Sequence, residues 1–147
     1  MTFGPADLDF WIGVWDLSWP GGGRGTNRLG RILDDRVILE EFEGSDMEST
    51  LSGMSLSVYD EADRVWRQTW VDSTGSYLDL VGEAAVDGRL AFARTRLEGG
   101  IAVRYRMVWL DVTPDAFRWE WQRSVDGGLS WEVRWAIRYA RHPGEAV

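Results

Sequence analysis

The spacing of tryptophan constrains this chain most. Ten tryptophans occur in 147 residues, and most fall four apart: Trp11, Trp15 and Trp19, then Trp66 and Trp70, then Trp131 and Trp135. Positions i and i+4 share a face in a strand and in a helix alike, so the period alone does not choose between them. The punctuation does. Pro20-Gly21-Gly22-Gly23, Asp34-Asp35, Gly44-Ser45-Asp46, Asp60-Glu61-Ala62-Asp63, Asp72-Ser73-Thr74-Gly75, Asp87-Gly88, Glu98-Gly99-Gly100, Thr113-Pro114-Asp115 and Asp126-Gly127-Gly128 interrupt the chain too often for helices of ordinary length.

Ten strands fit between these breaks: Trp11–Trp19, Gly25–Leu33, Val37–Glu43, Leu51–Tyr59, Val65–Val71, Tyr77–Gly82, Leu90–Arg96, Ile101–Leu110, Phe117–Arg123 and Trp131–Tyr139. Consecutive antiparallel strands without a crossover helix form a meander, and a meander this long hides its edges by closing. The expected fold is all-β, a ten-stranded antiparallel up-and-down β-barrel. Pro5 to Phe10 reads as a short helical turn, so that residues 1–10 plug one end, and residues 142–147 read as a frayed tail. At 16.7 kDa the chain is one domain over residues 1–147.

Charge and composition exclude several functions. With 24 acidic against 16 basic side chains the net charge is −8, which repels phosphate backbones, and the arginines form no cluster in sequence, so nucleic acid is not an expected partner. There is no cysteine, which removes disulfides, thiolate metal sites and cysteine nucleophiles. With a single histidine, His142, neither a metal site nor a Ser-His-Asp triad is expected. The N-terminus lacks the basic and apolar regions of a signal peptide, and no segment approaches the roughly 20 apolar residues of a membrane span. A cytoplasmic protein without membrane contact is the expectation.

Alternation along the strands tells inside from outside. Ile101, Val103, Tyr105, Met107 and Trp109 alternate with Ala102, Arg104 and Arg106; Trp131, Val133, Trp135, Ile137 and Tyr139 alternate with Glu132, Arg134 and Arg138. By the same rule Trp66, Gln68 and Trp70 face inward, as do Phe117, Trp119 and Trp121. This aromatic volume exceeds what a small barrel needs for a core, although aromatic side chains also dominate ordinary cores. The polar residues expected on the aromatic face are Asn27, Glu41, Ser55, Gln68, Tyr77 and Tyr105, with Arg94 and Arg123 near a rim.

Two local motifs carry structural meaning. Gly13-Val14-Trp15 resembles the Gly-x-Trp signature of lipocalins and the wider calycin group, in which the tryptophan closes the barrel base under an arginine from the last strand. Arg138 or Arg134 would take that role by cation–π stacking. Ser124-Val-Asp126-Gly-Gly128-Leu-Ser130-Trp131 matches the Asp-box that sialidases and other propellers repeat. Here it occurs once and reads as a hairpin staple, with Asp126 satisfying turn donors, Gly128 in the turn and Trp131 packed beneath.

A wider resemblance is carried by Leu8-Asp-Phe-Trp-Ile-Gly-Val-Trp15, Asn27, Ile38-Leu-Glu-Glu-Phe42, Gly53-Met-Ser-Leu-Ser-Val-Tyr-Asp60 and, most specifically, Trp66-Arg-Gln-Thr-Trp-Val-Asp-Ser-Thr-Gly75. These segments resemble a widespread bacterial family of calycin-like proteins that has no assigned function. The resemblance implies a closed ten-strand barrel with a central cavity, and it supplies no reaction.

The expected role is therefore binding of a small hydrophobic or aromatic molecule, with Asn27, Glu41, Ser55, Gln68, Trp66, Trp70, Tyr77, Tyr105, Trp119 and Trp121 around it. The rival is an isomerase, hydratase or cyclase using Glu41 as a buried carboxylate base. A third reading follows from similarity to nitrobindins, ten-strand barrels that hold haem through a histidine near the C-terminus, the place of His142; otherwise no cofactor is expected. A homodimer is expected if some of the tryptophans face outward.

Overall fold

In the computed structural model, which describes residues 3–85 and 87–144, ten strands close into one antiparallel barrel. They are β1 (Gly13–Trp19), β2 (Gly23–Ile32), β3 (Val37–Ser45), β4 (Thr50–Asp60), β5 (Val65–Asp72), β6 (Tyr77–Ala84), β7 (Leu90–Glu98), β8 (Ile101–Leu110), β9 (Ala116–Ser124) and β10 (Glu132–Arg141). Each pairs with the next, and β1 pairs with β10, so no edge is left open. The expected meander and barrel are both present. Among the described residues no helix is long and apolar enough to cross a membrane.

The first strand begins two residues later than its sequence implies. Asp9–Trp11 is a 3-10 turn, and Trp11 belongs to the plug with Leu8 and Phe10. This segment seals the base. Trp11 lies edge-on to Trp109 at 5.2 Å, and Phe10 edge-on to Phe117 at 5.9 Å. Two strand side chains hold the chain entering the turn: Tyr59 Oη donates to the Phe3 carbonyl at 3.0 Å and Trp66 Nε1 to the Gly4 carbonyl at 3.1 Å. Trp15, Trp66, Phe92, Trp109 and Phe117 then fill the lower barrel. Each buried ring removes 150–250 Å² from water, about 4–6 kcal/mol by transfer.

Gly13 and Trp15 do serve the base, but Arg141 covers the ring, not Arg138 or Arg134. In the β1–β10 register Arg141 stands opposite Trp15, whereas Arg138 stands opposite Ser18 and is exposed. The Arg141 guanidinium lies 4.2 Å from the Trp15 ring centroid and donates to the carbonyls of Ile12 and Pro114. Gly13 has φ +142°, and a Cβ there would overlap Arg141 Nη1. Glycine is required because the arginine occupies the place of its side chain.

The start of β10 departs from strict alternation. Val133 pairs with Gln122 and Trp135 with Trp121, so the register shifts between them as at a β-bulge. A one-residue slip reverses sidedness. Trp135, Ile137 and Tyr139 face inward as expected, while Val133 is 49% exposed and Trp131 lies outside, 3.9 Å under the Arg106 guanidinium. The Asp-box holds this corner as a staple. Asp126 Oδ1 accepts from Ser130 N at 2.9 Å and Ser124 Oγ at 2.7 Å, and Ser124 Oγ accepts from Gly128 N at 2.9 Å.

The first residue of the expected tail, His142, is tied to β1. His142 N donates to the Val14 carbonyl at 2.8 Å, and its Nδ1 lies 2.8 Å from Asp16 Oδ1. Residues 145–147 of the expected tail lie outside the described residues.

Candidate functional site

The lower barrel is filled with rings, and the upper half is lined by them without being filled. A cavity of about 350 Å³ lies there, walled by Phe42, Trp70, Trp119, Trp121, Trp135 and Met107. It reaches Leu51, Asp72, Ser76 and Arg96, at the ends of β4, β5, β6 and β7 away from the plug. The wall is set by alternation: Trp70 from β5, Trp119 and Trp121 from β9, and Trp135 from β10 each occupy an inward position. Trp70 can lie against β4 because position 53 is glycine; a Cβ there would overlap the indole.

The buried carboxyl is Glu40, not Glu41. Ile38, Glu40 and Phe42 alternate inward on β3, while Glu41 is exposed on the outer face. The run Glu40-Glu41-Phe42-Glu43 hides this, since carboxylates occupy both faces; the apolar pair Ile38 and Phe42 flanking Glu40 was the available signal. Glu40 Oε2 accepts from Asn27 Nδ2 at 2.7 Å and Oε1 from Ser55 Oγ at 2.7 Å. Burial pushes the Glu40 carboxyl above the ordinary glutamate range, against the pull of the Ser55 and Asn27 hydrogen bonds.

Tyr139 completes the floor. Its Oη accepts from Asn27 Nδ2 at 2.9 Å, and burial followed by the Glu40 charge holds its hydroxyl well above the usual tyrosine range. The phenol stays protonated. Gln68, also on the cavity wall, donates from Nε2 to Ser57 Oγ at 2.9 Å.

The other expected site residues divide. Gln68, Trp70, Tyr105, Trp119 and Trp121 all line the cavity. Asn27 and Ser55 face inward but stand behind Glu40, holding it by the bonds above. Trp66 lies deeper, packed on Phe92 and Tyr59 at the sealed end, and is core. Tyr77 points outward, 61% exposed opposite Val71, and reaches the site only through its carbonyl, 3.5 Å from Arg94 Nη1. Cavity residues not foreseen as site residues include the polar Glu40, Asp72, Ser76, Arg96 and Tyr139 and the apolar Phe42, Met107 and Trp135.

At the rim Tyr105 stacks on Trp121 with centroids 5.6 Å apart and donates from Oη to Glu98 at 2.7 Å. Arg123 reaches both the Tyr105 oxygen and Glu98 at 3.3 Å. The Tyr105 hydrogen bond, with Arg123 beside it, holds the Glu98 carboxyl below the usual glutamate range. Arg94 and Arg123 are thus both near the rim, as expected, but Arg123 is paired there.

Among the described residues no three His, Asp or Glu side chains gather as a metal-binding group. His142 lies against Asp16, at an outward position of β1, and is absent from the cavity lining. A haem held in the cavity by this histidine does not fit that placement.

Fold and site together define a class: a closed antiparallel barrel with one sealed base and an aromatic cavity toward the other end. No protein-family model matches this chain, and no curated protein matches its sequence.

Proposed function

We propose that the protein binds a small, flat, hydrophobic or aromatic molecule in the upper barrel. The observation that carries this reading is the unfilled cavity of about 350 Å³ walled by four tryptophans. A well-packed barrel would have closed on itself, because empty apolar space forfeits dispersion contacts. Small-molecule sites of about 300–1,000 Å³ are typically apolar with a few convergent polar groups, and Glu40, Gln68 and Tyr139 are such groups here.

Native mass spectrometry of freshly purified protein, set beside its denatured spectrum, tests this. A discrete adduct lost on denaturation supports it. An adduct-free protein whose tryptophan emission fails to respond to a panel of planar aromatic probes overturns it.

One observation favours a second reading, acid–base catalysis. A buried carboxyl held above its ordinary range, bridged through Asn27 to a protonated phenol, is a donor and acceptor pair suited to moving a proton on a bound substrate. Glu40 takes the role first expected of Glu41. Glu40→Gln separates the two readings: a binder loses modest affinity, and an enzyme loses nearly all turnover.

A further inference from the structure

Arg94 is an inward-facing cation that the protein itself does not neutralise. On β7 the inward positions are Leu90, Phe92, Arg94 and Arg96, alternating with Ala91, Ala93 and Thr95. The Arg94 Nε atom is buried without a hydrogen-bond partner, and Nη1 makes one long bond, 3.5 Å, to the Tyr77 carbonyl. Among the described residues no salt bridge forms at Arg94 or Arg96, although Arg96 lies in the field of Glu98, whereas Arg67, Arg104, Arg118 and Arg123 each meet at least one carboxylate. The Arg94 guanidinium is half-buried among aromatic rings, and the cost of that partial desolvation falls when an acceptor reaches its Nη atoms.

The neighbouring carboxylates are committed elsewhere. Glu98 is held by Tyr105 and Arg123. Asp72 accepts from Trp70 Nε1 at 2.8 Å and from Thr74 N at 2.9 Å, capping its own turn. Glu40 sits at the floor among Asn27 and Ser55. The cavity lining carries the carboxyls of Glu40 and Asp72 beside Arg94 and Arg96, and both carboxyls are engaged by other donors.

Resting on the cavity-binding reading, we propose that the ligand is a planar aromatic carboxylate, its rings between the tryptophans and its carboxylate on Arg94, with Arg96 adding charge at the mouth. The guanidinium fork matches a carboxylate, which the Arg94 Nη atoms would receive at the rim. The small volume selects one or two rings over a long chain. The polar side chains of Gln68 and Tyr139 then lie in the lining toward the far end of the ligand, favouring one that carries a hydroxyl or amine there.

The test is a matched pair of probes, 2-naphthoate and 2-naphthylmethanol, titrated calorimetrically into the full-length protein and into Arg94→Gln. The wild type is expected to bind the acid at least about tenfold tighter than the alcohol, the size of one charge-assisted hydrogen bond. In Arg94→Gln that preference disappears while alcohol affinity stays within about twofold, which also reports an intact cavity. Equal affinity of the wild type for acid and alcohol, or a preference that survives Arg94→Gln, overturns the anion inference and leaves the cavity reading standing. Failure of both probes to bind the wild type counts against the cavity reading, and the anion inference falls with it.

Discussion

The side-chain amide of Asn27 donates to the Glu40 carboxyl at 2.7 Å inside the barrel, at a place where the chain buries a titratable group with no cation beside it. The other contact of that amide nitrogen, to Tyr139 Oη at 2.9 Å, links β2, β3 and β10 through one polar node. Such a node is costly where a member goes unpaired, and the Asn27 Oδ1 atom lies buried in it without a hydrogen-bond partner.

Glu40 should make stability fall as pH rises. Its folded pKa lies above the ordinary value of 4.5, so the folded protein binds the proton more tightly than the unfolded chain. The stabilisation is complete below 4.5 and is lost as pH climbs through the folded value. In Glu40→Gln that component of the fall disappears, so the variant gains on the wild type with rising pH. Urea unfolding at a series of pH values checks it; an unchanged difference between the two proteins contradicts the assignment.

Removing the Tyr139 hydroxyl leaves a buried Asn27 N–H without one of its acceptors. Tyr139→Phe is expected to cost about 1–3 kcal/mol in denaturant unfolding, the usual penalty for an orphaned buried donor.

Arg141, and not Arg138, closes the base. Trp15→Ala should lose about 3–5 kcal/mol as a buried ring vanishes from the core. Arg141→Ala breaks the stacking on Trp15 and the bonds to Ile12 and Pro114, and its melting temperature should fall clearly. Arg138→Ala, on the surface, should stay within about 0.5 kcal/mol of the wild type. Equal effects of the two arginine substitutions would contradict the register of β1 on β10.

Asp126 is held down to about 2 by the side-chain and backbone hydrogen bonds from Ser130 and the hydroxyl of Ser124. A depressed carboxylate stabilises above its ordinary value of 3.8, and the gain fades as pH falls through about 2. Asp126→Ala should therefore speed amide exchange in the β9–β10 hairpin at neutral pH. In acid, below that range, wild type and variant should exchange alike.

Strand number and closure were legible because turn residues act locally. Each Gly, Pro or Asp break in the sequence falls at or beside a strand end, and nine junctions leave ten strands. Inward sets with clean alternation, Trp66-Gln68-Trp70 and Phe117-Trp119-Trp121, were legible for the same reason. Where both parities look alike, as in Glu40-Glu41-Phe42-Glu43, the sequence placed the carboxyl on the wrong residue. The slip before Trp135 that turns Trp131 outward, the registry that sets Arg141 over Trp15, and the unpaired state of Arg94 depend on residues far apart in the chain. Sequence by itself determined the strands and most of their inner faces, because alternation and turn preference are properties of neighbouring residues. Closure of β10 on β1 decided which side chains meet across the barrel and which space they leave empty, because packing and pairing are relations between strands that no local pattern encodes.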